Sequence, residues 1–285
     1  MASRPRCFRA GEPVEIELRC AWRVKLLNDA VIAEELERIL ALEAARCQVR
    51  CLCVTIEVNH LHMVLAQDMS GHDPDRKTGI APFMRNFASR ATHFLNGHLS
   101  LQGRAWERSY RSHPRGDAAQ LLKSLVYTVM NPVKHGAVKR AEEYEFNDAD
   151  VYFFGEPNGI VTHVPAMLSA LGETTEERAQ AVKELIEEVW VEKERTETLL
   201  EAARKVLSRR RSSIDQRRWA ETVPVGAWVG HRAAERKRKE VLSRERPLVE
   251  FQPTKAPEIG AVIELRLRYK APRPLATAAW KEWHT

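Results

Sequence analysis

The sequence predicts an α+β fold: an antiparallel sheet with helices on one face, followed by a largely helical extension. Three observations predict it. Between residues 14 and 131, strand-like and helix-like segments follow the order strand, helix, strand, strand, helix, strand, helix. The two central strands are separated only by Val58-Asn59, a spacing that joins them as a hairpin. Past residue 150 the apolar spacing becomes helical and the charge density rises.

Val14-Glu15-Ile16-Glu17-Leu18-Arg19-Cys20 alternates with period two, the signature of a half-buried strand. Asp29 to Cys47 is amphipathic, with Ile32, Leu36, Ile39, Leu40 and Leu42 expected to face a core. Arg50 to Glu57 and His60 to Ala66 are the hairpin strands. Ser70 to Arg76 is rich in turn formers and reads as a loop. Ile80 to Leu99 is a second helix, with Phe83, Phe87, Ala91 and Phe94 near one face. Ala105 to Arg111 reads as a fourth strand. Asp117 to Asn131 is a helix with Asp117 as N-cap, and Pro132 is expected to stop it. The first six elements are those of a ferredoxin-like sandwich.

Gly155 to Gly159 marks a break, which places an N-terminal unit at residues 1–150 and an extension at 151–285. In the extension, Thr175 to Leu207 is one long helix or two shorter ones. Val182, Leu185, Ile186 and Val189 are its periodic stripe. Ala261 to Tyr269 reads as a strand.

Charge is distributed unevenly. The whole chain carries +6, but residues 1–150 hold 21 basic against 19 acidic groups, a net of +2. Residues 173–203 hold 4 against 10, a net of −6, and residues 204–246 hold 14 against 5, a net of +9. The basic stretch suits a polyanion, although charge runs are usually solvated faces. No apolar run approaches a membrane span, and the basic N-terminus is not followed by an apolar stretch, so a cytoplasmic protein without a membrane partner is expected. Cys7, Cys20, Cys47, Cys51 and Cys53 are odd in number and form no CxxC pair, which argues against a disulfide framework or a structural zinc site. Cys51 and Cys53 read as packed thiols rather than as metal ligands beside His60.

His60-Leu61-His62 carries the most chemistry. Residues i and i+2 of a strand share a face, so both imidazoles can reach one metal ion. Such a pair also arises in strands that bind nothing. Tyr127 and Asn131 are four residues apart on one helix face, which sets a phenol beside an amide. A tyrosine at the edge of an apolar stripe is more often core than nucleophile. Arg104, Trp106, Arg108, Tyr110 and Arg111 offer alternating cationic and aromatic groups for phosphates and bases. The competing reading buries Trp106 and Tyr110 and leaves the arginines in solvent. Lys134 and His135, just past the tyrosine helix, are candidate phosphate contacts or ordinary surface residues.

Taken together, these segments resemble the REP-associated tyrosine transposases, relatives of the single-tyrosine transposases of the insertion-sequence 200 type. The resemblance rests on Val58-Asn59-His60-Leu61-His62-Met63-Val64-Leu65, on Arg104 to Tyr110, and on Tyr127-Thr128-Val129-Met130-Asn131-Pro132-Val133-Lys134-His135-Gly136. It spans residues 1–145 and departs at Val58, where relatives usually place proline. It implies that His60 and His62 bind a divalent metal, Mg²⁺ or Mn²⁺, with Asn131 as third ligand. It implies Tyr127 as the nucleophile that forms a 5′-phosphotyrosine on single-stranded, hairpin-associated DNA. Two imidazoles alone would equally suit zinc. It leaves a monomer and a helix-exchanged homodimer both open. Two rival functions are a non-catalytic binder of hairpin nucleic acid and a nuclease that uses water, with Tyr127 structural.

Overall fold

The computed structural model describes residues 8–9, 11–67, 78–156, 158–194, 198–209 and 219–224. The N-terminal part is built from β1 (Val14–Arg19), α1 (Ala30–Cys47), β2 (Val49–Glu57), β3 (His60–Gln67), α2 (Ile80–His98), β4 (Arg111–Pro114) and α3 (Ala118–Lys134). Its four strands form one antiparallel sheet in the order β2-β3-β1-β4, so the α+β expectation holds.

The sheet has two covered faces with different occupants. Val14, Ile16 and Leu18 of β1 and Leu61, Met63 and Leu65 of β3 meet α1 and α2 in one apolar cluster. Val64 and Ala66 of β3 face the other way, toward Leu122, Leu125, Val126 and Val129 of α3. Each fully buried aliphatic side chain of α3 contributes roughly 1.5–3 kcal/mol. His60 and His62 share the face of Val64 and Ala66, so the period-two reading puts them under α3.

A β-bulge at Leu52 decides what joins them. The register shifts between Cys51, opposite Leu65, and Cys53, opposite Val64. One extra residue inverts the alternation. Val49 and Cys51 therefore share a face with Val54 and Ile56, whereas Cys53 joins the α3 side. Thr55 and Glu57 end on the α3 side too, directly beside His62 and His60. Both thiols are buried, and burial pushes each far above the ordinary thiol range.

β2 is an edge strand, and its outward groups are covered. Ile56 N–H donates to the Phe146 carbonyl at 2.9 Å, and Val54 N–H donates to the Asp148 carboxylate. The edge is thus closed to pairing with another chain. Beyond it come α4 (Ala149–Phe154), β5 (His163–Pro165), α5 (Ala166–Ser169), α6 (Thr175–Glu194), α7 (Leu199–Arg209) and β6 (Thr222–Pro224). Val182, Leu185, Ile186 and Val189 of α6 and Ala202, Ala203 and Val206 of α7 belong to the same apolar cluster as α3. Two helices, not one, cover the stretch 175–209.

Three expectations need correcting. Ala105 to Arg111 is not a strand: Trp106 makes one isolated bridge to Cys20, and β4 begins only at Arg111. Pro132 does not stop its helix, which runs on to Lys134. Leu42 points to solvent, and Glu43 and Ala44 turn inward instead. Asp29 and Asp117 do cap α1 and α3, accepting from Val31 N–H at 2.9 Å and Gln120 N–H at 2.8 Å. The predicted loop at Ser70–Arg76 and strand at Ala261–Tyr269 lie outside the described residues, as does most of the basic stretch. No helix among the described residues is long and apolar enough to cross a membrane.

Candidate functional site

The continuation of α3 past Pro132 is what completes the site. A proline has no N–H, so the Thr128 carbonyl one turn earlier loses its helical partner. The Thr55 hydroxyl takes that place, donating to Thr128 O at 2.7 Å from the strand residue opposite His62. Thr55 is fully buried. The proline defect in the helix and the hydroxyl on the sheet are complementary, and together they pin α3 over the histidines. Thr55→Val, which keeps the shape and removes the donor, is expected to cost about 1–3 kcal/mol, while Thr55→Ser costs far less. Urea denaturation of the two variants checks this.

The pinned helix lays Tyr127, Asn131 and Lys134 above β3. The His60 and His62 rings are 4.9 Å apart between centroids, and the His62 and Tyr127 rings are 5.2 Å apart. Asn131, one helical turn past Tyr127 on α3, is fully buried. His60, His62 and Tyr127 therefore lie together, with Asn131 one turn along the same helix as Tyr127.

Their polar atoms have an unusual status. His60 Nε2, both ring nitrogens of His62, and both amide atoms of Asn131 are buried without a protein hydrogen-bond partner. Each such atom costs roughly 1–3 kcal/mol in a folded protein. His60 Nδ1 lies 2.7 Å from Asn59 Oδ1, and the Asn59 amide is itself oriented by donating to the Arg23 carbonyl. A ring that donates through Nδ1 leaves the Nε2 lone pair free, the arrangement metal-ligating histidines adopt. Burial, then the neighbouring His62, pushes His60 down to about 3; burial likewise pushes His62 down to about 4. Both rings are neutral at physiological pH, as ligands must be. The donor set of two imidazoles and an amide fits a divalent cation.

Lys134 and His135 are exposed, and each has a polar neighbour at the site. Lys134 Nζ donates to the Tyr127 hydroxyl at 3.0 Å and sits 4.5 Å from the ring centroid. A positive charge thus lies beside the oxygen that would attack. His135 Nδ1 is 2.7 Å from Glu57 Oε2, and its ring is 5.7 Å from that of His60. Sequence reasoning missed Glu57 and Thr55. The signal was present, because a two-residue hairpin at Val58-Asn59 pairs Glu57 with His60 directly.

Of the other candidate DNA contacts, Trp106 is in the core, 4% exposed, its indole N–H donating to Ala88 O at 3.1 Å. It has no free face for a base. Tyr110 is half-buried against the same cluster. Arg104 is exposed and lies over the Trp22 ring, Arg108 is exposed, and Arg111 is exposed and 3.4 Å from Glu17. Trp106 is thus a core residue, and the three arginines face solvent.

No protein-family profile matches the chain, and no curated protein matches it. Among solved structures, it is similar to a REP-associated tyrosine transposase bound to a REP hairpin, at 17% identity and a TM-score of 0.43, over 52% of this chain and 82% of that one. It is also similar to a putative transposase from Deinococcus radiodurans R1, at 16% identity and a TM-score of 0.30, over 42% of this chain and 91% of that one. At these values the likeness carries no argument, and the functional reading rests on the side chains.

Proposed function

We propose that this chain is a metal-dependent, single-tyrosine DNA endonuclease and strand transferase acting on hairpin-associated single-stranded DNA. The observation that carries the reading is the buried group of His60, His62 and Asn131 near Tyr127, in which His60 Nε2, both His62 ring nitrogens and both Asn131 amide atoms have no hydrogen-bond partner. Core histidines and asparagines are normally hydrogen-bonded, and the unpaired polar atoms of this group are available to a ligand. The resemblance of the same segments to REP-associated tyrosine transposases supports the same reading.

His60, His62 and Asn131 would hold the cation. It would supply charge neutralisation at a non-bridging oxygen of the scissile phosphodiester. The protein's residues do the rest. The Thr55–Thr128 bond holds α3 at fixed height, so Tyr127 stays beside His62. Tyr127 Oη attacks phosphorus, the bond to the 3′-oxygen breaks, and the products are a 5′-phosphotyrosine and a 3′-hydroxyl. Lys134 places its ammonium beside the oxygen that passes from phenol to phosphoester. The covalent link keeps the strand competent for rejoining without ATP.

The test is an end-labelled single-stranded hairpin series incubated with Mg²⁺ or Mn²⁺ and run on a denaturing protein gel. A labelled protein band is expected, absent in Tyr127→Phe and in EDTA. Cleavage that persists in Tyr127→Phe without a labelled band would instead identify a water-using nuclease. Hairpin retention without cleavage by the native chain would identify a binding protein.

A further inference from the structure

We infer that Glu57 and His135 belong to the cation site, with Glu57 as its anionic ligand, and that the site therefore takes a first-row transition ion in preference to Mg²⁺. This rests on the cation site of the preceding reading and adds donors to it.

The three ligands so far are all neutral. A dication among largely buried groups is poorly compensated by two imidazoles and an amide alone. Three carboxylates lie on this face of the sheet: Glu15, Glu17 and Glu57. Two are committed elsewhere. Glu15 is bonded to Arg115 and accepts from Ser124 at 2.6 Å, and Glu17 is paired with Arg19 and Arg111. Glu57 is different. It sits opposite His60 across the hairpin, is 6% exposed, and its Oε1 is buried with no partner. The partnerless His60 Nε2 belongs to the residue beside it, itself 4% exposed. Glu57, His60 and His135 each offer one donor atom, and these atoms lie within 4.8 Å of one another. Donors about 2.0–2.2 Å from a shared ion lie at most about 4.4 Å apart, so the three need only a small inward movement of His135 to share one.

His135 enters through Glu57. Its ring lies against Oε2, leaving Oε1 as the free oxygen. At the C-cap of α3 it is only partly buried, its side chain 41% exposed, so it can swing toward the ion while Glu57 stays fixed. Two imidazoles with one carboxylate form a donor set for Mn²⁺, Fe²⁺, Co²⁺ or Zn²⁺, whereas Mg²⁺ favours oxygen ligands and keeps its waters.

The experiment titrates the full chain with Mn²⁺, reading free ion by electron paramagnetic resonance, and repeats it with Mg²⁺ competing. The variants are Glu57→Gln, Glu57→Asp, His135→Gln and His62→Gln. Melts in EDTA check that each is folded. Glu57→Gln should weaken Mn²⁺ binding by at least about 10-fold, His135→Gln by a smaller factor, and Glu57→Asp least, because it keeps the charge. A large molar excess of Mg²⁺ should be needed to displace Mn²⁺. If Glu57→Gln and His135→Gln bind Mn²⁺ like the native chain while His62→Gln does not, the inference fails and the original three-ligand site stands. Mn²⁺ and Mg²⁺ binding with equal affinity overturns the claimed ion preference. If the native chain binds no ion, the inference fails, and the labelled-band experiment with Tyr127→Phe judges the transposase reading separately.

Discussion

Asn131→Leu is expected to raise the stability of the metal-free protein by about 2 kcal/mol and to reduce the stabilisation that a divalent cation confers. The native amide is fully buried with neither atom partnered, which costs roughly 1–3 kcal/mol. Leucine is close in volume, needs no partner, and is the better helix former by a few tenths of a kcal/mol. Binding to the folded state alone adds RT ln(1 + [L]/Kd), so excess cation should raise the native midpoint clearly and the variant's by less. Paired urea denaturations, in EDTA and in excess Mn²⁺, measure both effects. A variant less stable than the native chain in EDTA would show that the amide serves the fold. It would remove the main support for a cation site. The expected pattern is the one functional sites show, where groups held in a costly state for a ligand are improved, as structure, by removing them.

The histidine face was legible because period two in β3 is a purely local rule. The tyrosine–asparagine face was legible because four residues make a helical turn. What lay hidden depends on pairs of segments. The Leu52 bulge that sets Thr55 and Glu57 beside the histidines leaves no local mark, because Val49 to Ile56 is apolar enough to fit either alternation. The rule that proline ends a helix failed at Pro132 for a tertiary reason: Thr55, 77 positions earlier, supplies the hydrogen that the helix lacks. Trp106 misled because alternating Arg and aromatic residues look alike whether the ring stacks on a base or on Phe87, whose centroid is 6.3 Å away. In each case a contact distant in sequence overrode a local pattern, and in two of them the contact builds the site.

Asp148 is expected to make the fold pH-dependent. This carboxyl is 1% exposed and accepts from Val54 N–H on the edge of β2 and from the Asn158 amide. Burial outweighs both bonds and pushes it up from 3.8 to about 7. A carboxyl raised in the folded state favours folding while protonated. Its contribution is complete below 3.8 and is lost as pH rises toward 7. Between pH 5 and 8 the loss spans about two pKa units, or about 3 kcal/mol. His60 and His62 run the opposite way. Their lowered values add stability above 6.5 that disappears on acidification. Absolute stability therefore mixes two opposed trends, and the informative quantity is the gap between the native chain and Asp148→Asn. That gap should shift against the native chain by about 3 kcal/mol from pH 5 to 8 in metal-free urea denaturations. Glu37, raised to about 8 by burial and then by Asp148, is present in both chains, so only the part it owes to Asp148 enters the gap. A gap that stays constant with pH would mean that Asp148 is ionised throughout, held by its two donors. The position matters because Asp148 fastens Val54, next to Thr55. The strand that aligns Thr55 with Thr128 and Glu57 with His60 is thus anchored on its outer edge by a carboxyl that changes charge near neutrality.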